Sequence, residues 1–195
     1  EEQIHTRLYL KRMKDCGVSL GEFPLNDFFW RITSRVDNEL DFITRMNLTF
    51  EQANLDYSKY YAEQFRLAGD KATAVVLEKI YQDEIGHVGH GLKWLRHWKE
   101  PQQTDWQAYN ESIHFPLSAT RAKGVVEFNE EARLRVGFDA DFISRLKIFQ
   151  RSRGRTPVVH WFNPNAELHA RGHLNGNDIK MNRFESAIEK DLEIL

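Results

Sequence analysis

The chain has almost no cysteine. Cys16 is the only one among 195 residues, which excludes an internal disulfide and a cysteine-rich zinc site. A dominant charge is also missing: 27 basic against 29 acidic side chains leave a net charge of −2, so nothing points to nucleic acid or another polyanion as partner. No apolar run approaches the length needed to cross a membrane, and no signal peptide opens the sequence. What is left is the ordinary soluble globular class, long enough to bury a substantial core and expected in the cytoplasm.

The longest helical pattern runs from Asp70 to Trp98, where Ala74, Leu77, Ile80, Tyr81, Val88, Trp94, Leu95 and Trp98 recur at three- and four-residue steps. Glu84 and His87 fall inside that apolar stripe. A carboxylate buried there is costly unless paired, and a three-residue spacing aims both side chains from one helix face toward one spot. The alternative is a buried ion pair within a single helix. A bound metal fits better because the chain opens with a second copy: Glu1-Glu2-x-x-His5 repeats the arrangement of Asp83-Glu84-x-x-His87. Carboxylate-bridged di-iron and di-manganese sites in four-helix bundles combine two Glu-x-x-His helices with two helices that each bring one Glu.

Taken in order, residues 1 to about 16 read as the end of a helix, with Ile4, Leu8 and Met13 on an apolar side and Gly17 as its stop. After a loop through Gly21 and Pro24, a helix is expected from about Phe28 to Ala53, striped by Val36, Leu40, Ile43 and Leu48. Glu51 continues that stripe and is the candidate for a lone bridging carboxylate. Asn54 and Asp56 are read as punctuation before a short helix over about Tyr57–Leu67, and Gly69-Asp70 ends it and caps the long helix. Beyond Trp98 the chain changes character. Helices are expected near Trp106–Ile113, Asn129–Val136 and Asp139–Gln150, a strand at Pro157–Phe162, and a last helix over Asp178–Leu195.

These residues resemble the ferritin-like superfamily and, within it, the family catalogued as domain of unknown function 455. The resemblance rests on Glu1-Glu2-x-x-His5, Leu20-Gly21-Glu22-Phe23-Pro24-Leu25-Asn26-Asp27 with Trp30, Glu51-Gln52-Ala53-Asn54-Leu55-Asp56, Ala68-Gly69-Asp70 and Asp83-Glu84-Ile85-Gly86-His87-Val88 with Gly91 and Trp94, and Phe128-Asn129-Glu130-Glu131-Ala132-Arg133 looks like it too. It implies a mainly α fold: a ferritin-like four-helix bundle over residues 1–100, with a mixed, mostly helical extension over 101–195 packing on it. It implies that Glu2, His5, Glu51, Glu84 and His87 are metal ligands, and that Glu1 and Asp83 are acids that orient the ligand histidines. The family pattern also has a helix before the first Glu-x-x-His, carrying one more Glu. This chain starts without that helix and without an N-cap, so it is expected to be the C-terminal part of a longer protein, with Glu127, Glu167 or another chain as other sources of the sixth ligand.

The remaining features have plainer readings. His90 has no place in the six-ligand pattern and reads as a surface or supporting histidine. The basic run Arg145–Arg155 lacks interleaved aromatics other than Phe149 and reads as a solvated helix end. His160, Glu167, His169 and His173 match no defensible metal spacing. Trp94, Trp98, Trp106 and Trp161 read as packing residues. The function expected is an oxidoreductase with a carboxylate-bridged pair of iron ions, or manganese, or one of each, that activates O₂ or peroxide toward a small-molecule substrate. The alternative is a non-catalytic metal-binding or interaction scaffold. A homo-oligomer is compatible with either, with residues after Trp98 serving as a lid or as an oligomer contact.

Overall fold

A computed structural model describes residues 1–150. They lie in one compact unit. The expected strand Pro157–Phe162, the last helix Asp178–Leu195, the basic residues Arg151, Arg153 and Arg155, and Trp161, His160, Glu167, His169 and His173 fall outside the described residues. All regular structure among the described residues is helical: α1 (Glu2–Asp15), α2 (Phe28–Thr33), α3 (Glu39–Arg45), a π-helical turn (Met46–Glu51), α4 (Gln52–Leu67), α5 (Lys71–Trp98), α6 (Asp105–Ser112), a 3₁₀ turn (Ala119–Ala122), α7 (Glu130–Val136) and α8 (Ala140–Ile148). None of these helices is long and apolar enough to cross a membrane.

The helix pair α4–α5 is the backbone of the bundle, and its turn is legible in the chain. Gly69 adopts a φ of 88°, which a residue with a Cβ rarely tolerates, and the Asp70 side chain caps α5 by accepting from the Thr73 amide. A three-residue connection leaves the two helices antiparallel neighbours. The helix α1 packs along α5 in the opposite sense, because Arg12 donates to Asp70 (2.8 Å) and to the Thr73 hydroxyl (2.7 Å) at the start of α5, while His5 meets Asp83 further along it. The buried residue of α1 is His5. Ile4, expected on its apolar side, is exposed instead.

One helix boundary is displaced from its expected place. The break falls at Ser34–Asn38, where Asn38 turns extended and caps α3 through the Asp41 amide, and the chain is then helical without interruption from Glu39 to Leu67. Asn54 and Asp56 do not punctuate it. Their side chains are committed to distant partners: Asn54 donates to Glu84, and Asp56 accepts from the Gly124 and Asn129 amides and from Arg133. A polar residue that spends its hydrogen bonds on tertiary contacts no longer competes with its own helix.

The core runs on past residue 100. Val88, Leu92 and Leu95 of α5 share one buried cluster with Trp106 and Tyr109 of α6 and with Phe142 and Leu146 of α8. Local signals place these later helices well: Thr104 and Gln107 form a capping box at α6, Asn129 caps α7, Gly137 closes it with φ 101°, and Asp139 caps α8.

Candidate metal centre

Two helices and one irregular turn bring the acidic and imidazole groups together. The α1 helix supplies Glu2 and His5, α5 supplies Asp83, Glu84 and His87, and the π turn supplies Glu51 at its last position. A π turn accommodates one extra residue per hydrogen-bonded ring and shifts the helical phase of the residues after it. Asn47 holds this turn in place: its amide donates to Glu51 Oε2 (2.5 Å) and to the His87 carbonyl (3.2 Å). It can lie so close to α5 only because residue 91 is glycine, where an added Cβ would come within 2.4 Å of the Asn47 Cβ.

The two Glu-x-x-His motifs meet in a crossed arrangement. His5 Nε2 donates to Asp83 of the other motif (2.8 Å), and His87 Nε2 donates to Glu1 of the other motif (2.9 Å). A carboxylate can only accept, so the proton of each neutral ring sits on Nε2 and each Nδ1 presents a lone pair. Both Nδ1 atoms turn toward Glu2 Oε1, at 3.2 Å from His5 and 3.1 Å from His87, and the rings lie 5.7 Å apart. His87 Nδ1 is also 3.4 Å from Glu84 Oε2. Both of these atoms are buried without a hydrogen-bond partner. Ligand atoms of Glu2, Glu51 and His87 lie within 4.8 Å of one another. A ring nitrogen and three carboxylates with their lone pairs facing inward repel one another unless a cation, proton or metal, stands between them.

The electrostatics carry the same strain. Burial, then Glu84, pushes the Glu51 carboxyl up to about 7, and burial raises Glu84 as well. Burial opposes charge on His87, but Glu1, Glu51, Glu84 and Glu2 outweigh it and raise its pKa. Burial works against the Asp83 charge too, yet Lys79 and His5 overcome it and hold Asp83 below the usual carboxylate range.

These shifts make the stability of the metal-free protein depend on pH. Glu51, Glu84 and His87 all have raised folded-state pKa values, so in metal-free protein the fold keeps protons that the unfolded chain has released. The Glu51 contribution to stability is then complete below about pH 4.5 and is lost as pH rises through about 7, and Glu84 and His87 act in the same direction. The lowered Asp83 acts with the opposite sign, in acid below that window. Metal-free protein should therefore melt at a lower temperature at pH 8 than at pH 5.5 in calorimetry with chelator present. A melting temperature that is level or rising over that range would contradict the clustering of these groups.

All seven sequence-predicted residues, Glu1, Glu2, His5, Glu51, Asp83, Glu84 and His87, thus meet around one locus. Glu127 does not join them, since it lines a separate cleft with Lys59, Glu63 and Glu131. His90 is exposed and accepts from the Trp94 indole (3.0 Å). Sequence reading missed Asn47, Asn54 and Tyr9. Asn54 donates to Glu84 Oε1 (3.0 Å). Tyr9, one turn beyond His5, has its phenol pKa raised by burial and by the charges of Glu84 and Glu2. The four-residue steps from Asn47 to Glu51 and from His5 to Tyr9 are local signals; nothing local ties Asn54 to Glu84.

A family model described as "Protein of unknown function (DUF455)" matches residues 1–144. A curated Haemophilus influenzae protein described as "Uncharacterized protein" is 28% identical over 142 residues, covering 71% of this chain and 48% of that protein. The chain thus spans about half the length of this curated relative. No solved structure is significantly similar to it.

Proposed function

The chain belongs to the DUF455 family, and from that premise we propose that it is a ferritin-like, four-helix-bundle oxidoreductase that holds a carboxylate-bridged pair of iron ions, or manganese, or one of each. The observation that carries this reading is the crossed pairing of the two Glu-x-x-His motifs, with Glu84 Oε2 and His87 Nδ1 buried and unpartnered between them. The donor set fits such ions: three carboxylates and two imidazoles suit iron or manganese. The one cysteine, Cys16, is exposed beyond the end of α1.

In this reading Glu2, His5, Glu51, Glu84 and His87 hold the metals. The pair of ions, once bound, supplies adjacent redox centres that pass electrons to O₂ or peroxide at the expense of a small-molecule substrate. The remaining chemistry belongs to the chain. Asp83 and Glu1 keep the Nε2 protons in place, which fixes the ring tautomers and raises the basicity of Nδ1. Asn47 and Asn54 steady the Glu51 and Glu84 carboxylates in the orientation the site needs.

The decisive experiment is anaerobic loading with Fe(II), followed by metal analysis and exposure to air. About two irons per chain, ferric charge-transfer absorption and O₂ uptake are expected. Retention of metal with no redox change would instead favour a non-catalytic metal-binding scaffold, and no retention at all would overturn both readings. Asp83→Asn keeps the shape beside His5 but removes the charge that orients it. Its metal affinity should fall by about tenfold to a hundredfold with no loss of helicity. Equal affinity for the variant and wild type in chelator competition would remove Asp83 from the centre.

A further inference from the structure

Next to this centre lies an open cleft of about 590 Å³ between the start of α3 and the C-terminal part of α5 from His90 to Trp98, a size within the roughly 300–1,000 Å³ of small-ligand sites. Its aromatic wall is Trp94 and Trp98, stacked with centroids 4.8 Å apart, with Phe42 among its other lining residues. Trp94 also packs against the core, but Trp98 is 39% exposed and Phe42 47% exposed, so neither is spent there. Trp94 cannot swing freely, since its indole N–H is tied to His90. The polar side is acidic. Asp37 and Glu39 line the cleft, no lysine or arginine does, and neither side-chain carboxylate has an ion-pair partner among the described residues. Asn47 forms part of the same wall, and its amide is the group that donates to Glu51.

An indole face attracts a cation through its quadrupole, and an unpaired carboxylate adds to that attraction. A neutral apolar ligand would leave the two carboxylates idle, and an anion would be repelled by them. We propose that the cleft is a binding site for a small organic cation, an amine or quaternary ammonium group on an apolar body, lying against Trp94 and Trp98 and neutralised by Asp37 and Glu39. That this ligand is presented to the metal centre, one side chain away through Asn47, rests on the oxidoreductase reading; the binding itself does not.

Three probes of one shape separate the possibilities: 2-phenylethylamine, 2-phenylethanol and phenylacetate. Each is titrated into the full chain with chelator present, with tryptophan fluorescence and calorimetry as readouts. The amine should bind saturably, the alcohol at least about tenfold more weakly and phenylacetate not at all. The doubly substituted Asp37→Asn/Glu39→Gln protein, altered at exposed positions, should keep its melting temperature and lose the preference for the amine. Trp98→Leu should weaken amine binding by about fivefold or more, within the range of a cation–π contact. Absence of amine binding at millimolar concentration, equal binding of the alcohol, or amine binding unchanged in the Asp37→Asn/Glu39→Gln protein would each overturn the proposal. Amine binding by a chain that consumes no O₂ after iron loading would leave the cleft assignment standing and overturn the oxidoreductase reading.

Discussion

Glu84→Gln is expected to remove metal retention while leaving the protein folded and at least as stable without metal. The Glu84 carboxylate is buried and held against its preference for ionisation, because burial raises its pKa, and a neutral amide of the same shape relieves that cost. The glutamine oxygen still accepts from Asn54, which in the native protein donates to Glu84 Oε1 at 3.0 Å. That contact turns the new NH₂ group toward His87 Nδ1, which faces Glu84 Oε2 at 3.4 Å. The His87 Nδ1 lone pair is then covered by a hydrogen bond. On the proposed metal reading Glu84 is a direct ligand, so its loss should exceed the effect of Asp83→Asn, with affinity down by more than about a hundredfold, and His87→Ala should behave alike. Chelator competition reads the affinity and thermal melting in excess chelator reads the fold. Wild-type metal content in Glu84→Gln would exclude Glu84 as a ligand. A variant that melts well below wild type without metal would show that the Glu84 charge belongs to the fold instead.

The largest stability effect is expected at a pairing, Asp56 with Arg133, that the sequence does not reveal. Asp56 on α4 and Arg133 on α7 are both fully buried. Arg133 donates to both carboxylate oxygens of Asp56, at 2.6 and 3.0 Å. Asp56 also accepts from the amides of Gly124 (2.8 Å) and Asn129 (2.7 Å), and Arg133 reaches the carbonyls of Asn129 and Ala122 and lies 3.9 Å over the Phe128 ring. Asp56→Ala strips partners from a buried guanidinium and two amides together. Breaking one side of such a pair costs about 3–5 kcal/mol, which lowers the melting temperature by roughly 6–20 °C in a chain of this size. The loss should concentrate in residues 119–136, visible as faster amide exchange there than in α5. A shift below about 3 °C would mean that the knot contributes little beyond specificity. Arg133→Met tests the converse, since an apolar replacement still leaves the Asp56 charge buried and should also destabilise.

The contrast between these two sites shows what local pattern can carry. Glu84 and His87 were legible because a carboxylate and an imidazole three residues apart in an apolar stripe are costly to bury without a shared partner, and the second copy at Glu2 and His5 made the pair specific. Asp56 and Asn54 were misread as helix punctuation because the same residue types end helices when their side chains have only the local backbone to bond. Whether a distant partner exists is not a local property. The π turn before Glu51 was hidden for the same reason: it depends on Asn47 seating against Gly91, 44 positions on. Trp98, expected to pack, is instead a partly exposed wall of the cleft.

By itself the sequence determined the helical class, the α4–α5 turn at Gly69 and Asp70, the caps of the later helices and the spacing of the two Glu-x-x-His motifs. Each rests on spacing, capping or glycine chemistry within a few residues. The tertiary structure alone decided that α1 runs against α5 so that each histidine reaches the acid of the other motif, 78 and 86 positions away along the chain. The physical reason is range: backbone periodicity acts over a turn or two, whereas the pairing of imidazole with carboxylate across helices depends on how buried faces pack.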